Sequence, residues 1–240
     1  MMFYFLLTPI LTYNFILIAA AVIPAIFLMV RVYRADRLEK ESPFQLWRLV
    51  RGGILSSLLA MVEERVLSWG LDAVVDKNTI AYNVILYFVI VAVSEESSKY
   101  IFLKRSSWQS PEFNCQYDGV VYAVFTSLGF GLWENVSYVL NYGFSTALVR
   151  AVTAIPGHAC FGVFMGVFYG MAKKYDYRGK HTVSAICRCC AITLPALLHG
   201  AYDYIASTQN STWYFVGFIA ALFIVSYALV GKASRDDQYI

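Results

Sequence analysis

The sequence predicts an all-α, polytopic transmembrane bundle of about seven spans, with the amino terminus outside and the carboxyl terminus cytoplasmic. Three observations carry this. Of the 240 residues, 59% are hydrophobic and 15% charged, whereas a soluble domain of this size carries roughly 25% charge. Apolar stretches of about 20 residues, enough to cross a bilayer core of about 30 Å, recur along the chain. The basic residues fall in alternate connecting segments, which is the positive-inside signature. The net charge of +3 therefore reports topology and not nucleic-acid binding. The lipid bilayer is the expected surrounding, and 1–240 reads as a single integral membrane domain.

Spans are expected near 9–30, 51–71, 80–102, 118–140, 150–171, 187–206 and 212–230. The first is a retained anchor and not a signal peptide, because it lacks a basic n-region and runs into a heavily basic segment. In the second, the apolar run Gly52–Ala60 is soon followed by Glu63, Glu64 and Arg65, so it reads as the weakest span, short or partly exposed. Arg31, Arg34, Arg37, Lys40, Arg48 and Arg51 flank the first cytoplasmic segment. Lys104 and Arg105 mark the second, Lys173, Lys174, Arg178, Lys180 and Arg188 the third, Lys232 and Arg235 the last. These are 15 of the 19 basic residues; Arg65, Lys77 and Arg150 fall on the other side and Lys99 inside a span.

Ionisable groups inside apolar spans are expensive and mark function by default. The third span carries Ser94-Glu95-Glu96-Ser97-Ser98-Lys99, in which the lysine follows the acids by four and three positions and reaches them on adjacent turns. An ion pair that only orients the helix is the structural alternative. The fourth span opens at Asp118-Gly119, where Asp118 reads as an N-cap. It then reaches Gly129-Phe130-Gly131, whose missing side chains admit a neighbouring helix or an extended substrate. Glu134 and Asn135 follow. In the fifth, Pro156-Gly157 precedes His158, and the proline is expected to loosen the helix beside it. In the sixth, His199 and Asp203 lie four apart on one face.

At 1.5 Å per residue, Glu134, His158 and His199 lie about 20–24 Å from the cytoplasmic boundary, and Glu95 and Glu96 only about 10–13 Å. The first three agree in depth on three helices and point to a shared site nearer the outer leaflet. Glu95 and Glu96 match it only if their helix projects beyond the membrane face. No serine or thiol is comparably placed as a nucleophile. The five cysteines (Cys115, Cys160, Cys187, Cys189, Cys190) fit neither a disulfide in this compartment nor a common structural zinc spacing.

The ordered set Glu95-Glu96-x-x-Lys99, Asp118-Gly119 with Phe130-x-x-x-Glu134-Asn135, His158-x-x-x-Gly162 and His199-Gly-x-x-Asp203 resembles the PrsW family of intramembrane proteases. That family lies within the wider group of CAAX-processing and bacteriocin-processing membrane endopeptidases. The resemblance covers about 85–205. It implies a protease of the bacterial cell membrane that makes the first cut in a membrane-anchored protein, an anti-sigma factor, in regulated intramembrane proteolysis. In the wider group the second motif usually ends in histidine and the last in asparagine, where this chain has Glu134 and Asp203.

Peptide hydrolysis needs a base for water, a donor for the oxyanion and an acid for the leaving amine. Glu96, beside Glu95 and close to Lys99, is the expected base. His158 or His199 would stabilise the oxyanion, Glu134 and Asn135 would orient peptide or water, and Asp203 would fix the tautomer of His199. This favours direct glutamate and histidine activation with no cofactor. Zinc is the alternative, with Glu96, Glu134, His158 and His199 as candidate ligands although no His-Glu-x-x-His element is present. From another class, a proton- or ion-coupled carrier also uses buried carboxylates and histidines, but no inverted repeat is visible.

Overall fold

The structure is a computed structural model that describes the backbone of residues 2–240 and side chains from residue 15 onward; residues 9–14 of the first expected span lie outside the described side chains. The helices are α1 (Met2–Ala35), α2 (Pro43–Val74), α3 (Ile80–Val84), a π-helical segment (Ile85–Val91), α4 (Ala92–Ser107), α5 (Asp118–Tyr142), α6 (Phe144–Val152), α7 (Ala154–Tyr177), α8 (His181–Ser207) and α9 (Thr212–Arg235). From Ile80 to Ser107 the chain forms one 28-residue rod, and α6 with α7 spans Phe144–Tyr177.

Five rods are long and apolar enough to cross a membrane by length and composition: Phe15–Ala35, Ile80–Ser107, Phe144–Tyr177, His181–Ser207 and Thr212–Arg235. The two remaining long helices, α2 and α5, also carry charged and polar residues. α2 carries Glu63, Glu64 and Arg65, and α5 carries Asp118, Glu134 and Asn135. α2 is nevertheless 32 residues long, started by Ser42, whose Oγ accepts from Gln45 N, and by Pro43 at its first position. The weakest expected span is thus a full-length helix.

α5 lies at the centre, buried without interruption from Asp118 to Gly131. Two glycine pairs let its neighbours approach backbone to backbone. A Cβ on Gly53 of α2 would lie 2.0 Å from Thr126 O, and one on Gly129 would lie 2.3 Å from Val50 O. Against α7, a Cβ on Gly119 would meet Gly170 N at 2.5 Å and one on Gly166 would meet Val120 Cα at 2.5 Å. Close packing of this kind drives helix association where lipid removes the hydrophobic gain. Gly129 thus serves helix packing and not a substrate. Outward faces of α1, α2 and α9 expose Ile23, Phe27, Val62, Val66, Ile224 and Val225, as lipid contact requires.

At one end of the bundle an aromatic box of Trp108, Phe113, Tyr122 and Tyr169 packs with ring centroids 5.2–5.3 Å apart. The Ser107 and Tyr169 hydroxyls hydrogen-bond at 2.9 Å, and Lys173 Nζ donates to Trp108 O at 2.7 Å. The C-terminal tail closes the same end: Gln116 N donates to Gln238 O, and Ile240 N to Asn114 O. Segments 36–42, 108–117 and 236–240 and the C-terminal end of α7 therefore share one face, the one that bears most of the basic residues. In a background without the native cysteines, Arg34→Cys and Arg178→Cys are expected to resist an impermeant thiol reagent added to intact cells, while Asn78→Cys reacts. Outside labelling of Arg34→Cys and Arg178→Cys would reverse the orientation.

Candidate active site

Glu95, Glu96 and Lys99 occupy the first two turns of α4, immediately after the π-helical segment. A π turn closes i to i+5 hydrogen bonds and is characteristic of functional sites. Against it lies α8. A Cβ on Gly200 would fall 2.6 Å from the Phe88 ring, so the bare glycine allows the close crossing that brings the adjacent His199 to Glu96. Similarly, a Cβ on Gly131 would meet the His158 ring at 2.7 Å, which seats that imidazole against α5.

Lys99 is the centre of the cluster and is wholly buried. Its ammonium lies 2.7 Å from Glu96 Oε1, 3.1 Å from Glu95 Oε2 and 3.2 Å from His158 Nδ1, with the Phe130 ring centroid at 4.1 Å. An ammonium has three protons and no acceptor, so these three partners satisfy it completely. The same logic assigns the tautomer of His158. Nδ1 accepts from Lys99, which leaves Nε2–H to donate to Glu134 Oε2 at 2.7 Å. His199 Nδ1 lies 2.9 Å from Glu96 Oε1 and 3.7 Å from Glu95 Oε2. Its other nitrogen is 3.4 Å from Asp203 Oδ2. The two imidazole rings stand edge to face, 5.8 Å apart.

All five residues read as catalytic, Glu95, Glu96, Glu134, His158 and His199, are thus brought into one buried network. The shortfall in depth of Glu95 and Glu96 came from placing the helix end at residue 102. α4 continues to Ser107, and from the Ser107–Tyr169 hydrogen bond Glu96 and His158 are each 11 residues along their helices, about 16 Å. Three readings are corrected. Pro156 lies in the first turn of α7, where its missing N–H disturbs nothing, so it does not loosen the helix beside His158. Asp118 is not the N-cap: its Oδ2 accepts from the preceding amides of Asn114 and Cys115, at 3.0 and 2.7 Å. Asn135 does not face the cluster's interior, because its Nδ2 donates to Ala21 O and its Oδ1 accepts from Arg150 Nε at 2.9 Å.

Arg150 is the residue that sequence reasoning missed. Gly143, at φ +83°, turns the chain from α5 into α6, and Arg150 from α6 folds back to place Nη2 3.1 Å from Glu134 Oε2. Counted as a basic residue outside the membrane, it gave no sign of this.

Carboxylates outnumber fixed cations here: among the described residues Glu95, Glu96, Glu134 and Asp203 share the network with Lys99 and Arg150. Ligand atoms of Glu95, Glu96 and His199 lie within 4.8 Å of one another, and the buried Glu96 Oε2 has no hydrogen-bond partner. Two carboxylates, one imidazole and an unused oxygen fit a divalent metal. Glu134 and His158 are occupied with each other and with Arg150, so this set differs from the four ligands expected from sequence by including Glu95.

Residues 41–230 match the PrsW family of intramembrane metalloproteases. Curated relatives named Protease PrsW include those of Halalkalibacterium halodurans, 32% identical over 227 residues (93% of this chain and 100% of that protein), and Oceanobacillus iheyensis, 30% identical over 222 residues (92% and 97%). The Bacillus subtilis protein is 29% identical over 209 residues (87% and 91%). No solved structure matches the chain significantly. A multi-pass helical membrane protein whose sequence aligns over nearly its whole length with these peptide hydrolases, the chain belongs to the PrsW family of intramembrane proteases.

Proposed function

We propose that this protease makes the first cut in a membrane-anchored protein, an anti-sigma factor, at a centre formed by Glu95, Glu96 and His199 with His158 opposite. One observation carries the reading. Buried residues of α4 and α7 meet at a single ammonium within 3.2 Å of three acceptors, and His199 of α8 joins them through Glu96 at 2.9 Å, a concentration of ionisable groups that is costly in an apolar bundle and marks function.

The donor set shifts the preference from direct activation towards a metal, with zinc suited to carboxylate and imidazole donors. Glu95, Glu96 and His199 would hold it, and when bound it would polarise the scissile carbonyl and make water more acidic. The chain's own groups do the rest. Glu96 Oε2, the buried carboxylate oxygen of the cluster that has no partner, accepts the proton that water loses. Lys99 donates to both carboxylates in a dry site and cannot leave without stranding them. His158, whose Nδ1 accepts from Lys99 and whose Nε2–H is given to Glu134, holds the ammonium in place, and the proton taken from water is the one returned to the leaving amine. Arg150 holds Glu134, Asn135 holds Arg150, and Asp203 orients His199. The substrate enters from the side of Glu134 and Asp203, whose side chains are 25% and 24% exposed while that of Glu96 is fully covered.

Glu96→Gln and Glu95→Gln keep side-chain shape and remove the carboxylate, so each folded variant, reconstituted with a membrane substrate, should lose at least about 100-fold in kcat/KM. Wild-type turnover in both would remove this pair from the reaction. For the metal, the comparison is cleavage by folded, chelator-stripped enzyme before and after one equivalent of zinc. The reading predicts little activity before and recovery after; full activity in verified metal-free enzyme would return the mechanism to glutamate and histidine alone.

A further inference from the structure

A second group of acids lies at the opposite end of α5, about 24 Å from Glu134 along the helix. Asp36 and Glu41 come from the α1–α2 connection and Asp118 from the start of α5. All three are at least 96% buried, and one carboxylate oxygen from each lies within 4.8 Å of the others. Both oxygens of Asp36, Oε1 of Glu41 and Oδ1 of Asp118 have no hydrogen-bond partner. The remaining oxygens are engaged: Tyr122 donates its hydroxyl to Glu41 Oε2 at 2.6 Å, and two amides donate to Asp118 Oδ2.

The nearby lysine does not hydrogen-bond to the carboxylates of this group. Lys40 Nζ donates to the backbone carbonyls of Tyr33, at 2.6 Å, and Asp36, not to a carboxylate. Further acids surround the three. Glu112 takes both the amide and the hydroxyl of Ser42, and Asp237 accepts from Tyr117 N at 2.8 Å. Burial, reinforced by the charge of Asp118, pushes Glu41 up to about 9. An isolated buried carboxylate costs several kcal/mol unless something compensates it.

We propose that Asp36, Glu41 and Asp118 bind a hard divalent cation of the magnesium, calcium or manganese class. The four unpartnered oxygens are all carboxylate, with neither imidazole nor thiolate in the set, which suits such ions and disfavours zinc. The ion would tie the α1–α2 connection to the first turn of α5, on the face that carries the basic segments, and so brace the helix that holds Glu134. The competing arrangement is proton sharing between Glu41 and Asp118 with no metal.

The test uses full-length protein in phosphatidylcholine nanodiscs, stripped with chelator and titrated with Mn²⁺ by electron paramagnetic resonance, with Mg²⁺ and Ca²⁺ as competitors and thermal unfolding alongside. The expected result is a saturable Mn²⁺ site that survives Glu95→Gln with Glu96→Gln but weakens at least tenfold in Asp36→Asn and in Glu41→Gln. Saturating cation should raise the wild-type Tm by about 5 °C and leave both of those variants unmoved. Without cation, Asp36→Asn should melt no lower than wild type, since it removes an uncompensated buried charge; this separates lost binding from damaged folding. No saturable ion in wild type, with Tm instead rising as pH falls, would overturn the proposal in favour of shared protons. An ion that persists in both Asp36→Asn and Glu41→Gln and vanishes in the double glutamate variant would overturn it in favour of the intramembrane centre.

Discussion

The buried ammonium of Lys99 holds the intramembrane cluster together. It joins Glu95 and Glu96 on its own helix to His158 on α7, and through Glu96 it sets the position of His199 on α8. Each of those groups would be costly in an apolar bundle by itself. Together they form a network in which every proton of the ammonium has an acceptor, and networks satisfied in this way specify one arrangement of helices. The face of Phe130 against Lys99 adds a further attraction that costs no charge.

Such a network requires helices close enough for short side chains to meet. Glycine supplies that closeness where α2 and α7 cross α5 and where α8 crosses the π-helical segment. The helix axes are then fixed lengthwise by the aromatic box around Tyr169, by the Ser107 hydroxyl and by the C-terminal tail pairing with residues 114–116. Packing at the basic face therefore sets the register of catalytic candidates about 16 Å away. Arg150 closes the network from the opposite end, since α6 returns it to Glu134 and Asn135.

Much of this was legible in the sequence, for physical reasons. Spans are long apolar runs, so a multi-pass helical bundle follows from composition, although by length and composition five of the seven expected spans qualify, and the bias of basic residues explains which segments gather on one face. Glu95, Glu96, Glu134, His158 and His199 stood out because ionisable groups in apolar helices are rare. The rest depended on tertiary contact. The π-helical turns of Ile85–Val91 lie in a uniformly apolar run with no local marker. Arg150 looked like a loop charge because the turn at Gly143 was invisible. Depth counting failed for Glu95 and Glu96 because the helix runs past Lys104 and Arg105, whose charges mark an interface but do not end a helix. Asp118 matched a capping position, yet its side chain turns back towards residues 114 and 115 and leaves one oxygen facing Asp36 and Glu41, a convergence of segments 80 residues apart that no local pattern encodes.

The claim that Lys99 holds the buried carboxylates can be measured by a double-mutant cycle on stability, with Lys99→Met, Glu96→Gln and the pair compared by unfolding in the same lipid. Lys99→Met alone strands two carboxylates and is expected to cost about 3–5 kcal/mol. Removing the charge of Glu96 as well should recover much of that loss, giving a coupling of at least about 2 kcal/mol. Costs that add within about 0.5 kcal/mol, as for residues that do not interact, would contradict the account.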